Sequence, residues 1–408
     1  MTGPDDRPRT PAPLNHEALV RSLTAGVEAP HGLRLRLEEL CVRVRSNSGA
    51  VVADLRRYFA PFLESVEAAD PPDAFPLSAN PSAAIAADID ILLLDGPVAE
   101  SPVELTTRPH LPGKRPDKER AADLPGENGG VGGRVVRKQA TGMLFVFGAG
   151  HGPDIALGPC ARNRNQLVNF ICARYMERRV AVGWALGHAA GVVGSNGRAL
   201  ALCGFAGMGK STLALHLLAR GCDFVSNDRV LIEPGAAGGA CVLHGIPKHP
   251  RLNPGTALGN PELTPHLARA LPEALRQAYA GLSAGELYAV EDKYDAIIDE
   301  CFAPAATPIG GERGSRFRLA APLAGVVALN WRHGGGAFSA RRVELAARPD
   351  LLETLRKAPG AFYLPSALTR ARLTPGQYLE ALGGTPALEL CGGSDFSAAA
   401  TACLDFLG

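Results

Sequence analysis

The sequence predicts an α/β protein with an α+β module towards its N-terminal end. Three observations carry this reading. Residues 199–203 (Ala-Leu-Ala-Leu-Cys) form a short apolar run suited to a buried strand, followed by a glycine-rich turn and then Leu213, Ala214, Leu217 and Leu218 at helical spacing. Further apolar runs at 224–225, 325–329 and 388–390 are separated by stretches that read as helix, mainly 258–290 and a last amphipathic segment from Phe396 to Leu407. Near the start, Leu33, Leu35 and Leu37 alternate with polar residues, and Val42 and Val44 do so again, the pattern of two half-exposed strands.

Taken in order, residues 1–30 are rich in Pro, Ala and polar side chains and read as a disordered tail. Residues 31–100 form the α+β module: the two strands, a helix through Val51, Leu55, Tyr58 and Phe59 that starts at the Ser46-Asn47-Ser48 cap cluster, and a strand from Ile85 to Leu94. Residues 101–133 hold many Pro, Gly and charged residues and read as a linker or long loop. From 134 to 408 the order is a hairpin (135–136 and 143–147) turning at Ala140-Thr141-Gly142, a helix from Asn163 to Tyr175, apolar segments at 180–184 and 189–193 that lead into the next strand, and then the 199–203 run. The helix that follows ends at Arg220-Gly221, where Gly suits the C-terminal cap, and Asp223-Phe-Val-Ser reads as the next strand.

Composition narrows the classes. The 408 residues carry 42 Lys and Arg against 41 Asp and Glu, so a net charge of +1 gives no basis for expecting a nucleic-acid or membrane partner. The most apolar segment, Ala84 to Leu94, is interrupted by Asp88 and Asp90 and is too short to span a bilayer. The first residues lack the basic and apolar regions of a signal peptide, and nine scattered cysteines without CxxC spacing read as reduced core thiols. A cytoplasmic location is expected.

The turn after 199–203 contains a complete G-x-x-x-x-G-K-[ST] motif: Gly204, Phe205, Ala206, Gly207, Met208, Gly209, Lys210 and Ser211, with Thr212 opening the helix. Glycines allow the backbone to wrap phosphate oxygens with its N–H groups pointing inward. Lys210 is placed to reach the β- and γ-phosphates, the Ser211 hydroxyl to ligate Mg²⁺, and the helix N-terminus to favour the anion. The expected ligands are ATP and Mg²⁺. Only seven of the basic residues are lysines, and a compact phosphate site suits the point charge of Lys better than the planar fork of Arg, so Lys210, and more weakly Lys248 and Lys293, stand out. Asp228, in Asn227-Asp228-Arg229 at the end of the 223–226 strand, follows Lys210 closely and reads as a carboxylate that binds Mg²⁺ or takes a proton from an attacking hydroxyl.

The run from His188 through the motif to Phe224-Val-Ser-Asn-Asp-Arg-Val resembles the catalytic domain of bacterial HPr kinase/phosphorylase, and more closely the HPr-kinase-related kinases of type B. The likeness extends along residues 30–408 through Arg137-Lys138, Thr141-Gly142, 163–170, Pro247-Lys248-x-Pro-Arg251-x-Asn253-Pro-Gly-Thr256 and Glu291-Asp-Lys-Tyr-Asp295. It implies a P-loop kinase domain of the HPr kinase/PEP-carboxykinase-like type over 134–408, with Asp228 as acid/base and His188 and Arg251 assisting. The chain departs from that family in two places. Asn227 stands where the family has a first aspartate, and Val242-Leu243-His244-Gly245 occupies the region of its metal-binding Glu.

The resulting expectation is an ATP- and Mg²⁺-dependent kinase that transfers the γ-phosphoryl group to a hydroxyl, a Ser of a protein or of a small-molecule acceptor. The rival, favoured by Asn227 and the missing Glu, is an ATP-binding switch or assembly subunit with little phosphotransfer. A third reading, ATP hydrolysis, lacks an identifiable water-polarising residue. His188 reads equally as a hydrogen-bonded core residue, Lys248 and Arg251 as a solvated basic loop, and 291–295 as a surface charge run. The oligomeric state is open, a homo-oligomer included.

Overall fold

The computed structural model describes residues 14–64, 87–107, 118–126, 129–149, 152–236, 239–302, 314–332, 334–370 and 372–408. They form two units, 1–57 with 63–167 and 58–62 with 168–408, each with its own mixed sheet. The class is α/β, as the alternating apolar runs predict.

In the first unit, α1 (His16–Thr24) precedes β1 (His31–Leu37) and β2 (Leu40–Ser46), and α2 (Gly49–Tyr58) follows. Then come β3 (Ile89–Asp95), β4 (Thr106–Thr107), β5 (Glu119–Pro125), β6 (Val131–Lys138), β7 (Leu144–Gly148) and β8 (Asp154–Gly158). The sheet order is β1-β2-β3-β8-β7-β6-β5-β4, with β2, β3 and β8 parallel and the rest antiparallel. Asp90 takes both Arg43 and Arg45, at 2.9 and 2.7 Å, so two of the alternating arginines are held by a neighbouring strand.

Three boundaries differ from the sequence reading. Residues 1–13 lie outside the described residues, but 16–24 within the expected tail are helical: Asn15 caps α1 by accepting from the amide of Ala18, and Leu19 and Val20 enter a core with Val135, Leu144, Val146 and Ile155. Two apolar residues on one helical face outweighed the tail-like composition. The expected linker at 101–133 contains β4, β5 and the start of β6, with Ala121 and Leu124 buried; residues 108–117 and 127–128 of it are not described. The segment 134–167 belongs to the first unit, so the division falls at 167/168 within α3 (Arg164–Ala181), not at 134.

The second unit opens with β9 (Ala185–Gly187), β10 (Ala189–Val193), β11 (Ala199–Gly204), α4 (Lys210–Ala219), β12 (Asp223–Ser226), β13 (Val230–Glu233) and β14 (Val242–His244). A mainly helical segment follows: β15 (Arg251–Leu252), α5 (Pro254–Leu258), α6 (Thr264–Leu267), α7 (Glu273–Tyr279), α8 (Ala284–Ala289), β16 (Tyr294–Asp295) and α9 (Ile298–Cys301). The chain returns through β17 (Ala320–Arg332), β18 (Ser339–Val343), α10 (Pro349–Leu355), α11 (Pro365–Arg370), α12 (Pro375–Leu382), β19 (Ala387–Gly393) and α13 (Phe396–Leu407).

Among the described residues the second sheet has nine strands, ordered β12-β10-β11-β17-β14-β13-β9, with β19 on the other side of β17 and β18 beyond it. β11, β17 and β19 are parallel, and β10 lies antiparallel between β11 and β12. Every residue of β11 is buried, which the pairing explains: Ala199, Ala201 and Cys203 pack into one core with Leu351, Leu352 and Leu355 of α10, while Leu200 and Leu202 alternate to the opposite face. The nine cysteines are free thiols, eight of them buried. Among the described residues no helix is long and apolar enough to cross a membrane.

Candidate functional site

Strand register brings the chemically distinctive residues to one edge of the second sheet. Ala189 pairs with Cys203, so His188, just before β10, lies beside the end of β11 where the glycine-rich loop begins. Gly191 pairs with Ser226 and Gly187 with Val230 in the same antiparallel register. His188 and residues 227–229 are thus the facing joints of one ladder, β10–β12 on one side and β9–β13 on the other. His188 Nε2 stands 3.6 Å from Asp228 Oδ1, and its backbone amide donates to the carbonyl of Leu355 at 2.6 Å.

The glycine-rich loop turns from β11 into α4 with Gly204, Gly207 and Gly209 at φ +155°, +83° and +85°, in or near the left-handed region. Gly209 also has no room for a side chain, since a Cβ there would lie 2.6 Å from the Phe396 ring. The Phe396 ring packs edge-on to Trp331 at 5.2 Å, and the Trp331 indole N–H donates to the carbonyl of Met208. Phe205, Ala206 and Gly207 at the tip are exposed; Ser211 and Thr212, at the start of α4, are half-buried.

Lys210 is buried, and its ammonium donates to the loop's own carbonyls at Gly204 (2.6 Å) and Phe205 (3.2 Å). Burial pushes its pKa down, with Asp228 opposing the shift. His188 is pushed down to about 4, first by burial and then by the charges of Lys210 and Lys357, against the pull of Asp228, so it is neutral near pH 7. For Asp228, burial acts upwards but is outweighed by Arg229, Lys357, Lys248 and His188, which hold the carboxyl below its usual range. Asn227 Oδ1 is buried and accepts no hydrogen bond among the described residues.

Two expected residues go elsewhere. Arg251 sits on β15, where its guanidinium donates to the Lys293 carbonyl at 2.9 Å and meets Asp295 at 3.5 Å. It ties β15 to β16. Lys293 contributes its carbonyl to that tie. Lys248, by contrast, does reach the site's field. Its loop is held by the buried His249, whose Nε2 bonds the Tyr58 carbonyl at 2.9 Å while Nδ1 accepts the Ile298 amide, fixing the neutral tautomer.

The region of the missing Glu is occupied by His244, which stacks on Trp184 and pairs with Glu233 at 2.9 Å. Glu233 and Trp184 lie at the ends of β13 and β9 away from His188, so neither replaces a metal ligand beside Asp228. Among the described residues no group of three or more His, Cys, Asp or Glu could hold a metal ion. Sequence reasoning missed Lys357, Trp331 and Phe396. Lysine scarcity was a usable signal for Lys357; nothing local distinguishes the two aromatics, which matter only through tertiary packing.

These residues can bind an anion at the loop, hold a carboxylate ionised beside it and present a neutral imidazole to that carboxylate. No family model matches the chain, and no curated protein matches it.

Proposed function

We propose that this protein is a kinase of the HPr-kinase-like P-loop type, which uses ATP and Mg²⁺ to phosphorylate a hydroxyl. The observation that carries the reading is Lys210: a buried ammonium whose hydrogen-bonded partners are the loop's own two carbonyls, in a glycine turn at a helix N-terminus. A buried cation calls for an opposing charge, and a triphosphate supplies it.

In this reading the loop amides and Lys210 hold the β- and γ-phosphates, and Phe396 and Trp331 keep the loop in shape. The acceptor oxygen forms a bond to the γ-phosphorus as the bond to the ADP oxygen breaks, and ADP leaves with that electron pair. The acceptor's proton passes to the Asp228 carboxylate. His188, neutral, orients Asp228 or the incoming hydroxyl. Ser211 and Asp228 would hold Mg²⁺, which suits such a site because that ion takes one or two protein oxygens and keeps waters and phosphates for the rest; the orphaned Asn227 Oδ1 adds an oxygen of the right chemistry. The metal would neutralise charge developing on the transferring group. Arg251 is occupied in tying β15 to β16 and is given no catalytic part.

The free thiols and the absence of a membrane-crossing helix among the described residues agree with a cytoplasmic enzyme. The second reading, an ATP-binding switch with little turnover, is favoured by Asn227 in place of a second carboxylate. Incubating lysate of the native host with labelled ATP and the purified protein separates the two. A labelled acceptor that disappears with Asp228→Asn is expected; nucleotide binding without any labelled product would support the switch.

A further inference from the structure

His216 interrupts the apolar run of α4. Leu213, Ala214, Leu215, Leu217 and Leu218 are buried around it, and the histidine itself is 2% exposed. A buried imidazole needs a partner for each ring nitrogen, and both come from the turn before α6. Nδ1 lies 3.0 Å from a carboxylate oxygen of Glu262, and Nε2 lies 3.0 Å from the side-chain nitrogen of Asn260. The Asn260 side-chain oxygen already accepts the amides of Glu262 and Leu263, at 3.1 and 3.3 Å, so its NH₂ group faces the ring and donates. Nε2 therefore accepts, and Nδ1 carries the proton and donates to Glu262. The turn fixes both the tautomer and the plane of the ring.

That plane supports a second ring. Phe396 stacks on His216, with centroids 5.5 Å apart and planes 4° from parallel, and meets Trp331 edge-on at 5.2 Å. The tip of the Phe396 ring rests on Gly209, where a Cβ would lie 2.6 Å from it. Gly209 caps α4 at φ +85°, directly before Lys210, so the ring's position bears on where the lysine and the first free amides of the helix point. Arg220, at the other end of α4, completes the brace. It reaches Glu262 at 3.6 Å, the Ser397 carbonyl and the Thr401 hydroxyl at 3.0 Å, and the Ser397 hydroxyl at 2.6 Å.

A leucine at 216 would fill similar space with no polar group to satisfy, so packing alone does not account for the histidine. What two directional hydrogen bonds add is a ring held in one orientation. Resting on the nucleotide-binding part of the kinase reading above, we propose that His216 is a positioning residue for the triphosphate: held by Glu262 and Asn260, it fixes Phe396 against Gly209 and presets the loop in the shape that binds the nucleotide. Preorganisation of this kind raises affinity by removing the cost of ordering the loop during binding. The 260–263 turn is thereby a remote determinant of nucleotide affinity, acting through two stacked rings.

The test measures Mg²⁺–ATP affinity by calorimetry, and thermal unfolding beside it, on the full chain. His216→Leu should keep a melting temperature close to that of wild type and weaken ATP binding about tenfold. Phe396→Leu should weaken it similarly, and the double variant should bind no more weakly than the weaker single, because the two residues act in series. The Glu262 side chain is 49% exposed, so it can be replaced without disturbing the core and supplies an independent pair. Glu262→Gln, whose side-chain oxygen still accepts from Nδ1, should preserve the affinity, and Glu262→Leu should lower it severalfold. A His216→Leu protein that binds ATP as tightly as wild type would overturn the proposal and leave the residue a packing element; losses that simply add in the double variant would overturn it too. Should His216→Leu not fold, equal affinities for Glu262→Gln and Glu262→Leu would decide against it instead. No binding of ATP by the wild type is a separate result, which removes the nucleotide reading and this inference with it.

Discussion

The indole N–H of Trp331 donates to the carbonyl of Met208 at 2.9 Å, so the strand beside β11 grips the middle of the loop that β11 feeds. The Phe396 ring, packed against Trp331 and Gly209, closes the same face. The loop is thereby shaped by side chains from β17 and α13 as well as by its own glycines.

Gly209→Ala should therefore be costly twice over, through the left-handed φ of +85° and through the 2.6 Å approach to Phe396. A loss of about 1–3 kcal/mol in stability is expected. Phe396→Ala in the same chain should recover the steric part and leave the conformational part. Thermal unfolding of the single and double variants measures both; equal melting temperatures for the two would show that Phe396 is not the obstacle.

Lys210→Ala should weaken ATP binding by on the order of a hundredfold or more while the fold survives, because the lysine bonds to loop carbonyls and is absent from the apolar core. Calorimetry with ATP and circular dichroism decide this together. An unchanged affinity would remove the nucleotide site from this loop.

Asp228→Asn should lower phosphotransfer by about 10²–10⁴ with nucleotide affinity within a few-fold of wild type, since a proton acceptor acts in the transition state. If the residue only shapes the turn between β12 and β13, Asn fills the role and turnover persists.

Much of this was legible in the chain. The strand at 199–203, the loop, the cap at Arg220-Gly221 and the helix from Phe396 to Leu407 depend on local spacing, which sequence displays directly. The partnership of His188 with Asp228 was suggested by resemblance alone; its physical basis is the shared register of β9–β13 and β10–β12, a non-local fact. Lysine scarcity marked Lys357 out, but its place was not legible, because two backbone links, not spacing, bring the end of α10 to His188. Arg251 misled for the converse reason, since a basic residue in a Pro-rich loop looks the same whether it faces a ligand or Asp295.

With Asn227 beside it, Asp228 has no second carboxylate in its pair to raise its affinity for a proton. Forward transfer is expected to run with little phosphate-driven reversal. Excess inorganic phosphate added to the phosphorylated product tests this, and rapid release of pyrophosphate would contradict it. Asn227→Asp should increase any reversal that exists.

Away from the site, Glu389 is fully buried and is paired with Arg348 and Arg341, with Asn330 donating to it. The hydrogen bond from Arg348, opposed by burial and helped by Asn330 and Arg341, holds its pKa down to about 2 from an ordinary 4.5. A depressed carboxylate stabilises the fold above its unfolded pKa and loses that contribution as pH falls through the folded value, here between about 4.5 and 2, corresponding to about 3 kcal/mol. Denaturant titrations of wild type and Glu389→Gln should differ most near pH 6 and converge towards pH 2; a gap independent of pH would contradict the charge argument.

β17 changes neighbours along its length, meeting β14 over Ala320–Pro322 and then β11 and β19 together beyond Val326. It cannot open on one flank without exposing polar backbone on the other. Amide hydrogen exchange at Val327 and Leu329 should accordingly require disruption of the whole second sheet, making these the slowest protons in that unit. The loop edge and the β13–β14 edge should lose protection together, as one cooperative block, when denaturant is raised.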